Sequence, residues 1–198
     1  MTAAGPSVTR LSASLVLPDG RHELRVGGGE VVPLPDTPDA VVALAGTGAR
    51  RRAHRITLDG RPLHRRRPAA RVRAGLVVVG DAPVAADVTV ADHLAVRADR
   101  ATVAATLEQV PPLVGRGGDP AGVLSGGERR ALAWARARLL DPKVVVLDRA
   151  ATGLDTVSVR WATQQVHDWL AAGVGVLVRA GRAEEAAWRT LSPRDDEG

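Results

Sequence analysis

The chain has 198 residues, 45% of them hydrophobic and 25% charged, which suits one domain with a sizeable core. It contains no cysteine, so disulfide frameworks, thiolate metal sites and cysteine nucleophiles are excluded. The net charge of +5 is carried almost wholly by arginine, Lys143 being the single lysine. Arginine, alanine, glycine, valine and aspartate together are what a GC-rich coding bias produces. Phe and Tyr are absent, which limits stacking on a flat ligand to four tryptophans, all after residue 130. MTAAGPSVTR lacks the pattern of a signal peptide, and no apolar run reaches bilayer length, so a membrane role is expected to work through a partner.

In chain order, SASLVLPDGRHELRV (12–26) predicts a strand, a PDG turn and a strand. EVVPL (30–34) adds another strand. VVALA (41–45) reads as a short strand running into the glycine turn Gly46-Thr47-Gly48. ITLDGRPL (56–63) predicts a short strand with a DG turn, and LVVV (76–79) a buried strand. VTVADHLAV (88–96) and ATVAATLEQV (101–110) have helical spacing, and PPLVGRGGDPAG (111–122) is a Pro/Gly loop. ERRALAWARARLL (128–140) predicts a strong helix with Ala131, Leu132, Ala135, Leu139 and Leu140 on one face. KVVVLD (143–148) is apolar until its aspartate, as in a parallel strand buried on both faces. SVRWATQQVHDWLAA (158–172) predicts a helix, VGVLV (174–178) a strand and EEAAWRTL (184–191) a last helix. Strands alternating with helices imply an α/β sheet.

The stretch LSGGERRALAWARARLLDPKVVVLDRAATGLD (124–155) carries the chemistry. Ser125, Gly126, Gly127 and Glu128 stand directly before a helix. Two glycines let a backbone approach a ligand, and a helix start offers unpaired N–H groups and partial positive charge, which suit a terminal phosphate. A serine N-cap with flexible glycines explains the same residues without a ligand.

Leu124–Glu128, Leu147-Asp148 and Gly153-Leu154-Asp155, in register over about thirty residues, resemble the signature, the end of the Walker B strand and the following loop of ATP-binding cassette (ABC) transporter subunits. Weaker likeness covers VVALAG, ITLDGRPL and TVADHL, and PPLVGRGGDPAGVLSGGE is similar to the branched-chain amino-acid importer type. The resemblance implies an α/β, P-loop NTPase-like cassette core with N-terminal antiparallel strands and a shortened helical subdomain. It implies one nucleotide-binding domain over 1–198, with 1–79 and 136–198 as the α/β core and 80–135 as the helical, signature-bearing part.

Against that family the residues depart in several roles. After VVALA, the turn Gly46–Arg52 has no P-loop lysine and no magnesium-holding Ser/Thr, and the following helix is expected to be cut to almost nothing. Gly46, Gly48 and Arg51 remain as a P-loop remnant, and a guanidinium does not replace a lysine's compact charge there. Gly80 stands where the family has glutamine. Arg149 takes the place of the catalytic glutamate and cannot accept a proton from water. Ala180 takes the histidine position. Asp148 could hold Mg2+ through water or cap the next turn. No aromatic precedes the P-loop region to stack on adenine.

The resemblance therefore implies a pseudo-ATPase that has no catalytic residues of its own. It would supply Ser125, Gly126, Gly127, Glu128 and Asp155 to ATP and Mg2+ shared with an intact partner cassette. Permease subunits would hold it at the cytoplasmic face of a membrane. A self-sufficient ATPase with an atypical site and a decaying paralogue are alternative readings. A further alternative is a nucleic-acid or polyanion module built on Arg50–Arg52, Arg55, Arg61, Arg65–Arg67, Arg71 and Arg73, with Asp59 the one acid among them. It would lack the aromatic interleaving that single strands favour.

Overall fold

The computed structural model describes residues 9–48, 54–81 and 83–179. The alternating pattern at the start of the chain forms a hairpin of β1 (Thr9–Leu17) and β2 (Gly20–Gly27). β4 (Arg55–Leu58) joins β1 antiparallel, and β5 (Arg61–Pro62) follows it across a turn in which Asp59 and Gly60 both have positive φ. The sheet order is β2-β1-β4-β5. Leu11, Ala13, Leu15, Leu24, Val26, Ile56 and Leu58 are buried on its inner face, as a period of two requires.

A second sheet is wholly parallel, in the order β3-β8-β7-β6. It contains β3 (Val31–Pro33), β6 (Leu76–Val79), β7 (Val144–Asp148) and β8 (Gly175–Arg179). Val144 to Leu147 are all fully buried. Val144 and Val146 join the core under the antiparallel sheet, while Val145 and Leu147 join the core on the opposite face. Each such side chain contributes about 1.5–3 kcal/mol, which explains why this strand is uniformly apolar.

Helix α5 (Gly126–Leu139) belongs to two cores at once. Ala131, Leu132 and Ala135 pack with α3 (Val90–Leu94) and α4 (Arg100–Gln109), whereas Trp134 and Ala137 pack under the parallel sheet. The boundary drawn between residues 135 and 136 thus falls inside one continuous helix. Trp134 stacks on Trp169 of α6 (Thr156–Ala171) at 5.5 Å and meets Trp161 edge-on at 6.1 Å. Its Nε1 donates to the Ala150 carbonyl at 3.0 Å. Trp134 and Trp169 are therefore core residues.

One element is a correction. Residues 41–45 are not a strand: they are the end of helix α1 (Pro38–Ala45). Thr37 is its N-cap, accepting from the Asp39 N–H, Pro38 fills the first turn, and Gly46 ends it in the left-handed conformation with φ 76°. A proline at the start and a glycine just past the end are the two residues that fit those places. A second helix that the pattern did not predict, α2 (Pro68–Ala74), runs through the arginine-rich segment. The predicted helix at 184–191 lies outside the described residues.

Candidate functional site

In open parallel sheets, ligands bind beyond the carboxyl ends of the strands. Here that edge gathers Pro33 of β3, Gly80 after β6, Asp148 and Arg149 at the end of β7, and Arg179 of β8. β3 and α1 form the strand–loop–helix unit that would cradle a phosphate. Their connection is Leu34-Pro35-Asp36-Thr37, four residues without glycine or lysine. The Leu34 N–H bonds to the Val178 carbonyl at 2.7 Å, so the loop begins flat against β8.

This corrects the reading of Gly46 and Gly48 as a P-loop remnant. They lie after α1, at its carbonyl end. The Gly46 N–H donates back to the Val42 carbonyl, and a Cβ at Gly48 would come within 2.7 Å of Val42 Cγ1. The negative end of a helix repels phosphate. The expected loss of the following helix is also overturned, because α1 is that helix and it precedes these glycines. Arg51 and Ala180 lie outside the described residues.

The α1 start is itself poorly suited to an anion. Thr37 Oγ1 takes the Asp39 N–H at 3.3 Å, Pro38 has no N–H, and Asp39 puts a carboxylate in the first turn. The magnesium position is no better. Asp148 Oδ1 accepts from Arg179 Nε at 2.6 Å, and Thr37 Oγ1 is engaged with its own helix. This donor set does not fit a magnesium ion. Arg179 is nearly buried and also reaches Asp36 Oδ1 through Nη1 at 3.4 Å. Arg149 Nη2 lies 3.5 Å from the same oxygen. The Arg149 backbone is left-handed, φ 47°, and its N–H bonds to the Arg179 carbonyl at 2.7 Å.

Ser125–Glu128 are built differently. Ser125 Oγ accepts from the Glu128 N–H at 3.2 Å, and Glu128 Oε2 accepts from the Ser125 N–H at 2.7 Å. This is a closed capping box. The Ser125 N–H holds the Glu128 carboxyl below its usual range, and Arg116, which bonds Glu128 Oε1 and Asp119, acts in the same direction. Gly126 is exposed and a Cβ there would meet nothing, whereas one at Gly127 would come within 2.4 Å of the Gly153 carbonyl oxygen. The motif is thus pinned from behind by Gly153 and open in front. Asp155 caps α6 by accepting from the Ser158 N–H at 2.8 Å, and this bond lowers its pKa.

The arginine cluster loses one member. Arg71 is buried and donates to the carbonyls of Ala43 at 2.6 Å, Leu44 at 2.7 Å, Arg66 at 3.1 Å and His64 at 3.2 Å. It closes the C-terminal end of α1. Arg55, Arg61, Arg65, Arg66, Arg67 and Arg73 are exposed, and Arg50–Arg52 lie outside the described residues. Asp59 pairs with Lys143 at 2.5 Å and Arg10 at 3.6 Å.

Residues 43–152, more than half of the chain, match the family model described as ABC transporter. The chain belongs to this family. It is 36% identical over 140 residues to the Nod factor export ATP-binding protein I of Burkholderia orbicola, covering 66% of this chain and 45% of that protein. It is 32% identical over 158 residues to the ATP-dependent lipid A-core flippase of Xanthomonas euvesicatoria pv. vesicatoria, covering 67% of this chain and 27% of that protein. The chain therefore spans less than half the length of these curated relatives. A solved structure, the ATP binding subunit of an ABC transporter, superposes with TM-score 0.71 at 21% identity, over 90% of this chain and 82% of that one. A nucleotide-free ATP-binding cassette gives 0.68 at 17% identity, over 89% and 83%. The α/β ABC cassette fold expected from the sequence is the fold observed. No described helix is long and apolar enough to cross a membrane.

Sequence reasoning missed Asp36 and Arg179 as residues of this edge. Thr37-Pro38 before the apolar run and Gly46 after it are helix start and stop signals, and they could have moved the P-loop position from Gly46 to residues 34–37. The pairing of Asp36 with Arg179 spans 143 residues and had no local signal.

Proposed function

We propose that this chain is an ABC cassette that does not hold nucleotide itself and completes the ATP site of an intact partner cassette through Ser125, Gly126, Gly127 and Glu128. The observation that carries the reading is the four-residue connection from β3 to α1. It offers neither glycine N–H groups nor a lysine, and its one charged residue, Asp36, has the sign of the phosphate it would have to attract. Arg149 at the glutamate position removes the base for water. By contrast, the N-terminus of α5 keeps an open front at Gly126 and a rigid capping box behind it. ATP and Mg2+ would sit at the shared interface, with Asp155 nearby on the α6 cap. Permease subunits would hold the pair at the cytoplasmic face of the membrane.

Calorimetric titration of the full chain with Mg-ATP, at low and moderate salt, tests the first half. No saturable binding is expected, and salt-resistant micromolar binding would overturn it. Ser125→Arg in a complex with an intact cassette tests the second half. ATPase activity is expected to vanish, and full activity in a verified complex would overturn it.

A second reading, as a polyanion-binding module, draws on strand register. Arg25 stands opposite Ser12, Arg21 opposite Val16, and Arg55 opposite Ser14 on the outward face of the antiparallel sheet. Three arginines thus flank Ser12, Ser14 and Val16 of β1, with Glu23 among them. Binding to random RNA that weakens steeply with salt would support it. No binding at low salt would remove it.

A further inference from the structure

The carboxyl edge of the parallel sheet holds two guanidinium groups aimed at one oxygen. Arg179 is fixed: its side chain is 9% exposed, and its Nε is committed to Asp148. That leaves Nη1 pointing to Asp36. Arg149 is presented from the other side by a left-handed backbone whose N–H is tied to the Arg179 carbonyl. Arg179 is therefore placed by the sheet, independently of Asp36, whereas Arg149 is anchored at its backbone and carries a side chain that is 54% exposed.

Asp36 differs in kind. It stands on the short loop, its side chain is 64% exposed, and its contacts of 3.4 and 3.5 Å are long for charge-assisted hydrogen bonds. Charges at that separation with solvent access attract weakly and exchange. One fixed cation, Arg179, and one anchored only at its backbone, Arg149, are holding a loosely seated anion. The four side chains sum to zero charge: Asp36 and Asp148 against Arg149 and Arg179.

We propose that Arg149 and Arg179 form an oxyanion site, and that Asp36 is its built-in occupant. This rests on the reading that the chain holds no nucleotide of its own, and it explains how the loop stays seated on the sheet without one. The Asp36 carboxylate takes the place of an external phosphate group, so the loop needs no ligand to be drawn down between β3 and β7. Removing that negative charge leaves the cluster at +1, with two forks facing an open position. A phosphate-class anion then becomes the natural occupant.

The test is calorimetric titration of the full chain with sodium pyrophosphate, without magnesium, at about 50 and 150 mM salt. The wild type should show no saturable binding in the millimolar range. Asp36→Asn, which keeps size and removes charge at an exposed position, should bind at least tenfold more tightly and keep most of that gain at the higher salt. Asp36→Asn/Arg149→Gln should lose the gain. The thermal midpoint of Asp36→Asn should rise with pyrophosphate, whereas the wild type should not respond. Equal affinity of wild type and Asp36→Asn overturns the inference, as does a gain that survives loss of Arg149. Should Asp36→Asn unfold, Asp36→Ser supplies the same comparison. The outcome is separable from the Mg-ATP titration. Saturable Mg-ATP binding by the wild type defeats the functional reading, whereas silent wild type and silent Asp36→Asn defeat this inference alone.

Discussion

Replacing Arg71 should show that an arginine inside the basic cluster is a structural clamp rather than a surface charge. Its guanidinium is buried and gives hydrogen bonds to four main-chain carbonyls, two of them, Ala43 and Leu44, in the last turn of α1. Those carbonyls have no partner within the helix ladder, so Arg71 both satisfies them and neutralises the negative helix end. Arg71→Met keeps the stem and removes every donor. Orphaning a buried carbonyl costs about 1–3 kcal/mol, so removing the donors to these four should cost about 3–5 kcal/mol in all, a large share of a domain's total of about 5–15 kcal/mol. At about 2–4 °C per kcal/mol for a chain of this size, the melting temperature should fall by about 6–20 °C. Arg71→Lys should lie between the two, because an ammonium cannot span carbonyls placed around a planar fork. Urea unfolding followed by fluorescence of the core tryptophans gives the stability change. A loss below about 1 kcal/mol for Arg71→Met would refute the clamp, being no more than an ordinary surface pair contributes. Under the polyanion reading, Arg25→Ala should reduce RNA binding at low salt while leaving the melting temperature nearly unchanged.

Three further outcomes concern the signature and the core. Gly127→Ala should cost about 1–3 kcal/mol in urea unfolding, since its Cβ would press on the Gly153 carbonyl at 2.4 Å, whereas Gly126→Ala faces open space and should be neutral or stabilising by up to about 1 kcal/mol. The Glu128 carboxyl is depressed in the folded state from its ordinary 4.5, so its contribution is present above that value and is lost as pH falls through the lower folded one. The stability difference between wild type and Glu128→Gln should therefore be about 0.5–1 kcal/mol at neutral pH and shrink in acid-limb melts below about pH 4.5. Trp134→Phe orphans the buried Ala150 carbonyl and weakens the stack on Trp169, and should cost about 1–3 kcal/mol in the same unfolding assay.

The sequence by itself determined the features that depend on neighbours in the chain. The hairpin of β1 and β2, the parallel strands β6, β7 and β8, and helices α3 to α6 follow from apolar periodicity and turn residues within a few positions. Ser125–Glu128 was legible as a helix start because a capping box is a four-residue device. The apolar run at 41–45 was not settled by its own pattern, because five consecutive apolar residues suit a strand and a short helix equally. Its caps at Thr37 and Gly46 made it a helix, so the glycines lie after α1 and the connection from strand to helix is the loop before it. Arg71 read as surface charge because arginine is rarely buried, and only the arrival of four carbonyls from separate segments makes its burial favourable. Asp36, Arg149 and Arg179 meet because three parallel strands end side by side. Which residues share that edge is set by strand order, β3 beside β8 beside β7, and strand order is a property of the folded sheet rather than of any stretch of the chain.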